Sequence, residues 1–265
     1  MKFTIALIVL AGGLLAQSPG ARPAFGQFEV ATVRPTPPEW TRGRFIRMQT
    51  SHQLLAKNYE LRVLIAAAFN LSPQAISGGP AWIDSDHYDI LAETPGEVRP
   101  NLEEQMAMLR KLLADRFQLK FHREPKEFAV YALTVGKGGP KLKPSTLSPD
   151  DAPEGPPLLA IVIAPESVSL PARYATVAEM ASVMQRSALD RPVLDRTGLT
   201  GRYDFDLEWT PGDNQFGGLG MWKNVESPKA DVFTAFQQQL GLRLEATRGM
   251  VDAIVIDRIE RPSEN

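Results

Sequence analysis

The chain has no cysteine, three histidines and a formal charge of only −2 at pH 7. Without cysteine there are no disulfide staples, no thiolate metal site and no lipid-modified cysteine anchor. The histidines, His52, His87 and His122, show no HExxH-type spacing. There is no Gly-x-Ser-x-Gly elbow and no Ser-x-x-Lys pair for an activated serine. A near-neutral balance supplies no basic field, which argues against nucleic acid as the main partner. After the N-terminal region no long apolar run recurs, so the mature chain is expected to be soluble and to lack a membrane span.

What is present begins with an export signal. Lys2 is a minimal positive start, Ile5 to Leu15 is uncharged and apolar, and Ala24-Phe25-Gly26 before Gln27 is a small-residue cleavage pattern, with Ala16 a second candidate. The apolar run is too short for a membrane helix, which needs ~20 residues. Pro19, Gly20 and Pro23 then break any helix. The expected location is the periplasm or the extracellular space.

Periodicity marks the elements that follow. Phe28 to Val33 alternates as a strand and is stopped by Pro35, Pro37 and Pro38. Asn58 is a candidate cap for a helix through Leu61, Leu64, Ile65 and Ala68. Asn101 opens the clearest helix, with Leu102, Met106, Leu109, Leu112, Leu113 and Phe117 as its apolar stripe. Leu119 to His122, a polar turn at Arg123 to Glu127, and Val130 to Val135 read as a hairpin. Thr176-Val-Ala-Glu179 is a capping box. Tyr203, Phe205, Leu207 and Trp209 alternate with acids as a half-buried strand. Ser227-Pro228 reads as a helix start and Gly241 as its end, and a second hairpin turns at Thr247 to Gly249.

Two stretches match within the chain. His87-Tyr-Asp-Ile90 corresponds to Arg202-Tyr-Asp-Phe205, and Leu113 to Phe121 corresponds to Phe236 to Leu244. The second match, continued, pairs Tyr131 with Ile254 and Leu133 with Ile256. Amphipathic helices and hairpins also resemble one another without common origin. The expected fold class is α+β: duplicated helix-plus-β-hairpin modules, with antiparallel or mixed sheets and helices packed on one face. The expected organisation is a signal peptide at 1–26, a first unit at 27–139, a Pro/Gly-rich linker at 140–171 and a second unit at 172–265. Modules of this kind resemble the periplasmic ring-building and signalling domains of secretins and TonB-dependent receptors, a likeness of fold that carries no function by itself.

Longer motifs carry a more specific likeness. They are Ile76-Ser-Gly-Gly-Pro-Ala-Trp-Ile-Asp-Ser-Asp-His-Tyr-Asp-Ile90, Met108 to Phe117, Val130 to Leu142, Arg191 to Phe205 and the tail Pro262 to Asn265. With them the chain resembles a large family of exported proteins of unknown function from soil bacteria. Similar domains occur fused to membrane metallopeptidases of the beta-lactam-sensor type. The resemblance implies an extracytoplasmic sensory role and supplies no catalytic residues.

The remaining candidates are weak. Asp84, Asp86 and His87 have the chemistry to hold a divalent cation, but Asp-Ser-Asp is also ordinary turn chemistry. Residues 136–141, Gly-Lys-Gly-Gly-Pro-Lys, place Lys137 and Lys141 beside a run of amides suited to an anion, and equally to a flexible strand exit. Trp40 and Trp222, in loops, are ligand candidates, whereas Trp209 belongs to a buried strand face and Trp82 to a sheet end. No catalytic residue, metal or cofactor is assigned. The reading is a non-enzymatic extracytoplasmic binding or sensory module for an envelope ligand or protein partner. The alternatives are an envelope assembly module with secretin-like repeats and a hydrolase with an unrecognised site. N-terminal sequencing of the mature protein is expected to begin at Gln27; finding residues 1–20 intact would overturn the compartment.

Overall fold

The computed structural model describes residues 23–41, 43–148, 161–164, 166–217 and 229–262. Most of the export signal, part of the expected linker, Ser227-Pro228 and the tail after Pro262 lie outside them. The fold is α+β, with four α-helices and twelve strands among the described residues.

The first half contains β1 (Val30–Pro35), β2 (Phe45–Met48), β3 (Gln53–Glu60), α1 (Leu61–Phe69), β4 (Ile76–Gly78), β5 (His87–Glu93), α2 (Leu102–Arg116) and β6 (Lys120–Val135). The second contains β7 (Lys143–Pro144), β8 (Val162–Ile163), β9 (Val168–Ala175), α3 (Val177–Val183), β10 (Val193–Asp195), β11 (Tyr203–Trp209), α4 (Val232–Ala235) and β12 (Leu242–Arg258). The order strand–helix–strand–strand–helix–strand therefore occurs twice, as β3 to β6 and as β9 to β12. Strands β7 and β8 fall in the stretch expected to be linker, and β9 begins at Val168, ahead of the expected boundary at 172.

Three four-stranded sheets result. Two are equivalent and antiparallel, ordered β1-β5-β3-β2 and β7-β11-β9-β8. The third, ordered β10-β6-β12-β4, is built from both halves. Strands β6 and β12 run antiparallel over nearly their whole length, from Lys120 opposite Arg258 to Val135 opposite Leu242. β4 of the first half joins β12 in parallel, and β10 of the second half joins β6 in parallel. The pairings respect the internal match: Tyr131 faces Val193 as Ile254 faces Ile76, and Leu133 faces Asp195 as Ile256 faces Gly78.

The turns expected at Arg123 to Glu127 and Thr247 to Gly249 are therefore not turns, and the hairpins they implied do not exist. Both stretches are strand: Arg123 to Glu127 pairs with Met250 to Ile254, and Thr247 to Gly249 pairs with Phe128 to Val130, side by side in the middle of the ladder. Only two strands are present there, so both faces meet water, and polar residues such as Lys126, Glu127 and Arg248 are the stable choice. Ion pairs Arg123–Asp252 at 2.6 Å and Arg248–Glu127 at 2.8 Å line the ribbon.

The two ends of this ribbon enter different cores. One core gathers Leu61, Leu64 and Ile65 of α1 and Leu109 and Leu113 of α2 with Ile254 and Ile256 of β12. The other gathers Val177 and Met180 of α3 and Val232 and Phe236 of the last helix with Tyr131 and Leu133 of β6. Each half thus sends its long strand into the other half's lobe. Gly78 makes the β4 junction possible, since a Cβ there would stand 2.8 Å from the Ile256 carbonyl oxygen at a φ of +75°.

Local signals hold where caps are concerned. Asn101 with Glu104 and Thr176 with Glu179 both form reciprocal capping boxes. Gly241 ends the last helix with φ +67°. Three details differ. Leu102 is exposed and Met108 replaces it in the buried stripe of α2. The last helix is capped by Asp231, whose carboxylate accepts from the amides of Phe233 and Thr234. Glu60, not Asn58, is the N-cap of α1.

Asn58 serves a different purpose. It is left-handed, φ 59°, at a bulge of β3, and its amide donates to the Asp89 carboxylate at 3.0 Å. Tyr174 is left-handed, φ 56°, at a bulge of β9, and its amide donates to Asp204 at 2.8 Å. Asp89 and Asp204 are the aspartates of the repeated Tyr-Asp motif. That motif is a clamp that holds an extra residue in the neighbouring strand.

Because Ile254 belongs to the second half and is fully buried in the first lobe, Ile254→Ala is expected to cost about 2–5 kcal/mol in one cooperative transition. Tryptophan fluorescence reports both lobes, through Trp82 and Trp209. An early melt of the first lobe with Trp209 still in its native environment would show that the strand exchange does not couple the cores.

Candidate functional site

A cleft of about 550 Å³ lies between the lobes. The first lobe contributes Arg44, ahead of β2, Glu60, Val63 on α1, and Pro73 and Gln74. The second contributes Arg186, Ser187, Leu189 and Asp190 from the end of the α3 segment, with Asn214, Phe216 and Gly217 from the loop after β11. A smaller hollow of about 200 Å³ adjoins it, sharing Leu189, Asp190 and Asn214 and adding Tyr131, Arg191 and Phe233.

Local geometry turns these residues inward. Helix α3 widens into a π turn over Met184–Ala188. Such a turn adds a residue to the helical circuit and re-aims the side chains it carries, here Arg186 and Ser187. Phe216 adopts a left-handed backbone, φ 54°, which brings its ring to stack on Trp209 at a centroid distance of 6.3 Å. The Trp209 indole donates to Gln215 Oε1 at 2.8 Å, fixing the loop that forms this wall. Asn70, the left-handed C-cap of α1, bridges the lobes: its Nδ2 donates to Ser182 Oγ at 3.0 Å, and its carbonyl accepts from Gln185 Nε2 at 3.1 Å.

The charges differ in how far they are satisfied. Asp190 accepts from the Tyr131 hydroxyl at 2.9 Å and stands 3.7 Å from Arg191. Burial, reinforced by that hydrogen bond to Asp190, pushes the Tyr131 phenol up to about 12. Arg44 stands 3.7 Å from Glu60, and His87 Nε2 stands 3.4 Å from the other Glu60 oxygen. Glu60 Oε2 is buried and accepts no hydrogen bond. The Arg186 guanidinium donates through Nε to the Ser182 carbonyl at 3.0 Å and has no carboxylate within ion-pair distance among the described residues. Burial pulls its pKa below the ordinary arginine value, partly offset by Tyr59. An arginine keeps its charge regardless, so a partly desolvated cation is left with its charge uncompensated. Burial pushes the Tyr59 phenol up, while Arg44 and Arg186 both pull it down.

Among the described residues, none of those proposed from sequence lines this cleft. Lys137 is exposed on the loop after β6. The amides of Gly136, Gly139 and Lys141 are bonded to Gly241, Gly136 and Leu240 carbonyls, and the Lys141 ammonium donates to the Gln238 carbonyl at 2.8 Å. This loop therefore caps the last helix. Trp40 carries Lys57 over its ring at 4.8 Å and tilts against Phe45. Trp222 lies outside the described residues. Asp84 is forked to Arg62, whose hydrogen bonds hold its carboxyl below the usual range, and Asp86 pairs with Arg261 at 2.9 Å. No group of three metal-ligating side chains occurs among the described residues. No helix among them is long and apolar enough to cross a membrane.

Residues 62–259 match the model of DUF3738, a family of proteins of unknown function, and the chain belongs to that family. No curated protein and no solved structure matches the chain.

The Tyr131–Asp190 contact carries a pH dependence. The phenol's folded pKa lies above its ordinary value of 10, so its contribution to stability is complete below pH 10 and is lost as pH rises toward 12. Denaturant melts at stepped pH should show the native protein's advantage over Tyr131→Phe shrinking across that window. An advantage constant through it would contradict the assigned contact.

Proposed function

We propose that the chain is an exported, non-enzymatic binding or sensory module that takes a small ligand in the cleft between its lobes. The observation that carries this reading is the uncommitted Arg186 guanidinium in a cleft walled by both lobes. Apolar and polar lining alternate there, Val63, Leu189 and Phe216 beside Gln74, Ser187 and Asn214, as in pockets that bind an organic body and orient it by a few polar contacts. The volume falls within the ~300–1,000 Å³ typical of such pockets. Ligand contact with both lobes would change their relative position, the kind of motion a sensory domain transmits. The short apolar N-terminal run and the small-residue pattern at Ala24-Phe25-Gly26 support export, and a sensory role agrees with the fused metallopeptidases that the family resemblance implies.

The reading is tested by a ligand-observed NMR screen of a mixed small-molecule fragment library against the native protein and Ser187→Trp. Ser187 is exposed at the rim, so an indole there fills the cleft without touching either core. Fragments that bind the native protein and lose binding in Ser187→Trp are expected. A screen without any such fragment would sink the cleft as a binding site.

A further inference from the structure

We infer that the cleft selects a small organic monocarboxylate with an apolar body, its carboxylate held by Arg186. This rests on the cleft being a binding site. Its lining includes two cations, Arg44 and Arg186, and two carboxylates, Glu60 and Asp190. Three of the four already face an opposite charge or a donor: Arg44 faces Glu60, and Asp190 holds the Tyr131 hydroxyl beside Arg191. Arg186 alone of the four has only a backbone carbonyl, bonded through Nε. Its two terminal nitrogens make no hydrogen bond among the described residues, and a guanidinium edge of this kind is shaped for a carboxylate or phosphate fork.

Charge decides between those two. One uncommitted cation balances one negative charge. A phosphate dianion would bring a second charge close to Glu60 and Asp190 with nothing left to neutralise it. With Arg191, which pairs with Asp190 from the adjoining hollow, three cations face two carboxylates, so a monocarboxylate adds one charge and leaves the site balanced. The remaining lining describes the rest of the molecule. Val63, Pro73, Leu189 and the buried ring of Phe216 offer an apolar wall and no further cation. Placement of Arg186 on a π turn, next to the Asn70 bridge between the lobes, puts the recognised group where both lobes meet.

Phenylacetate, its neutral counterpart phenylacetamide and inorganic phosphate, titrated separately into the full native protein and followed by protein NMR shifts, test the inference. Phenylacetate is expected to bind about 10-fold or more tightly than phenylacetamide, the scale of a charge-assisted hydrogen-bond pair. Phosphate is expected to bind more weakly than phenylacetate. Arg186→Gln should weaken phenylacetate until it binds no better than phenylacetamide, and Arg186→Lys, which keeps the charge, should retain part of the preference. Should Arg186→Gln fail to fold, Arg186→Lys and the native amide comparison still decide. Equal binding of acid and amide, tighter binding of phosphate, no binding of phenylacetate, or a preference that survives in Arg186→Gln overturns the inference. If the fragment screen still finds binders sensitive to Ser187→Trp, the cleft stands as a binding site and only its selectivity for a carboxylate falls.

Discussion

The antiparallel ladder between β6 and β12 is the constraint on which the rest of the molecule depends. Each strand begins beside the helices of its own half and ends in the core of the other. Ile254 and Ile256 complete the first lobe, and Tyr131 and Leu133 complete the second. Neither half can close its core from its own residues, because the parallel partner of β4 is β12 and that of β10 is β6. Burial of these side chains, at roughly 25 cal/mol per Å² of apolar surface, therefore stabilises both lobes and their connection together.

The same exchange makes the cleft. Two lobes joined by a ribbon meet along a seam, and the seam is bridged at Asn70 while remaining open at Arg44, Glu60 and Arg186. Many charges among the described residues are committed. The aspartates of the repeated Tyr-Asp motif hold strand bulges, the ribbon carries its own ion pairs, and Lys141 caps a helix end. Against that background an arginine without a carboxylate is informative, because a desolvated charge without compensation is costly in a fold that neutralises so many others.

Legibility in the sequence followed the range of the interactions involved. The capping boxes at Asn101 and Thr176, the αL stop at Gly241 and the buried face of β11 ending in Trp209 were readable, since each is set by residues a few positions apart. The internal match was readable too, and its offset reproduces the register by which Tyr131 faces Val193 and Ile254 faces Ile76. Arg123 to Glu127 misled because a two-stranded ribbon wet on both faces has the composition of a turn. Asn58 misled because left-handed bulges and helix caps favour the same residue types. Arg186 gave no local sign at all, sitting in an ordinary amphipathic helix.

By itself the sequence determined the α+β class, the twofold order of elements, most helix ends and the likeness to a family of unknown function, because periodicity, caps and turn chemistry act over one or two turns of chain. Only the tertiary structure decided that the long strands trade lobes, that the Tyr-Asp motif is a bulge clamp and that Arg186 faces a cleft without a counter-charge. Each of these depends on which residues meet across separations of tens to more than a hundred positions, as Asn70 meets Ser182, and such meetings are selected by the packing of the whole chain, not by any segment of it.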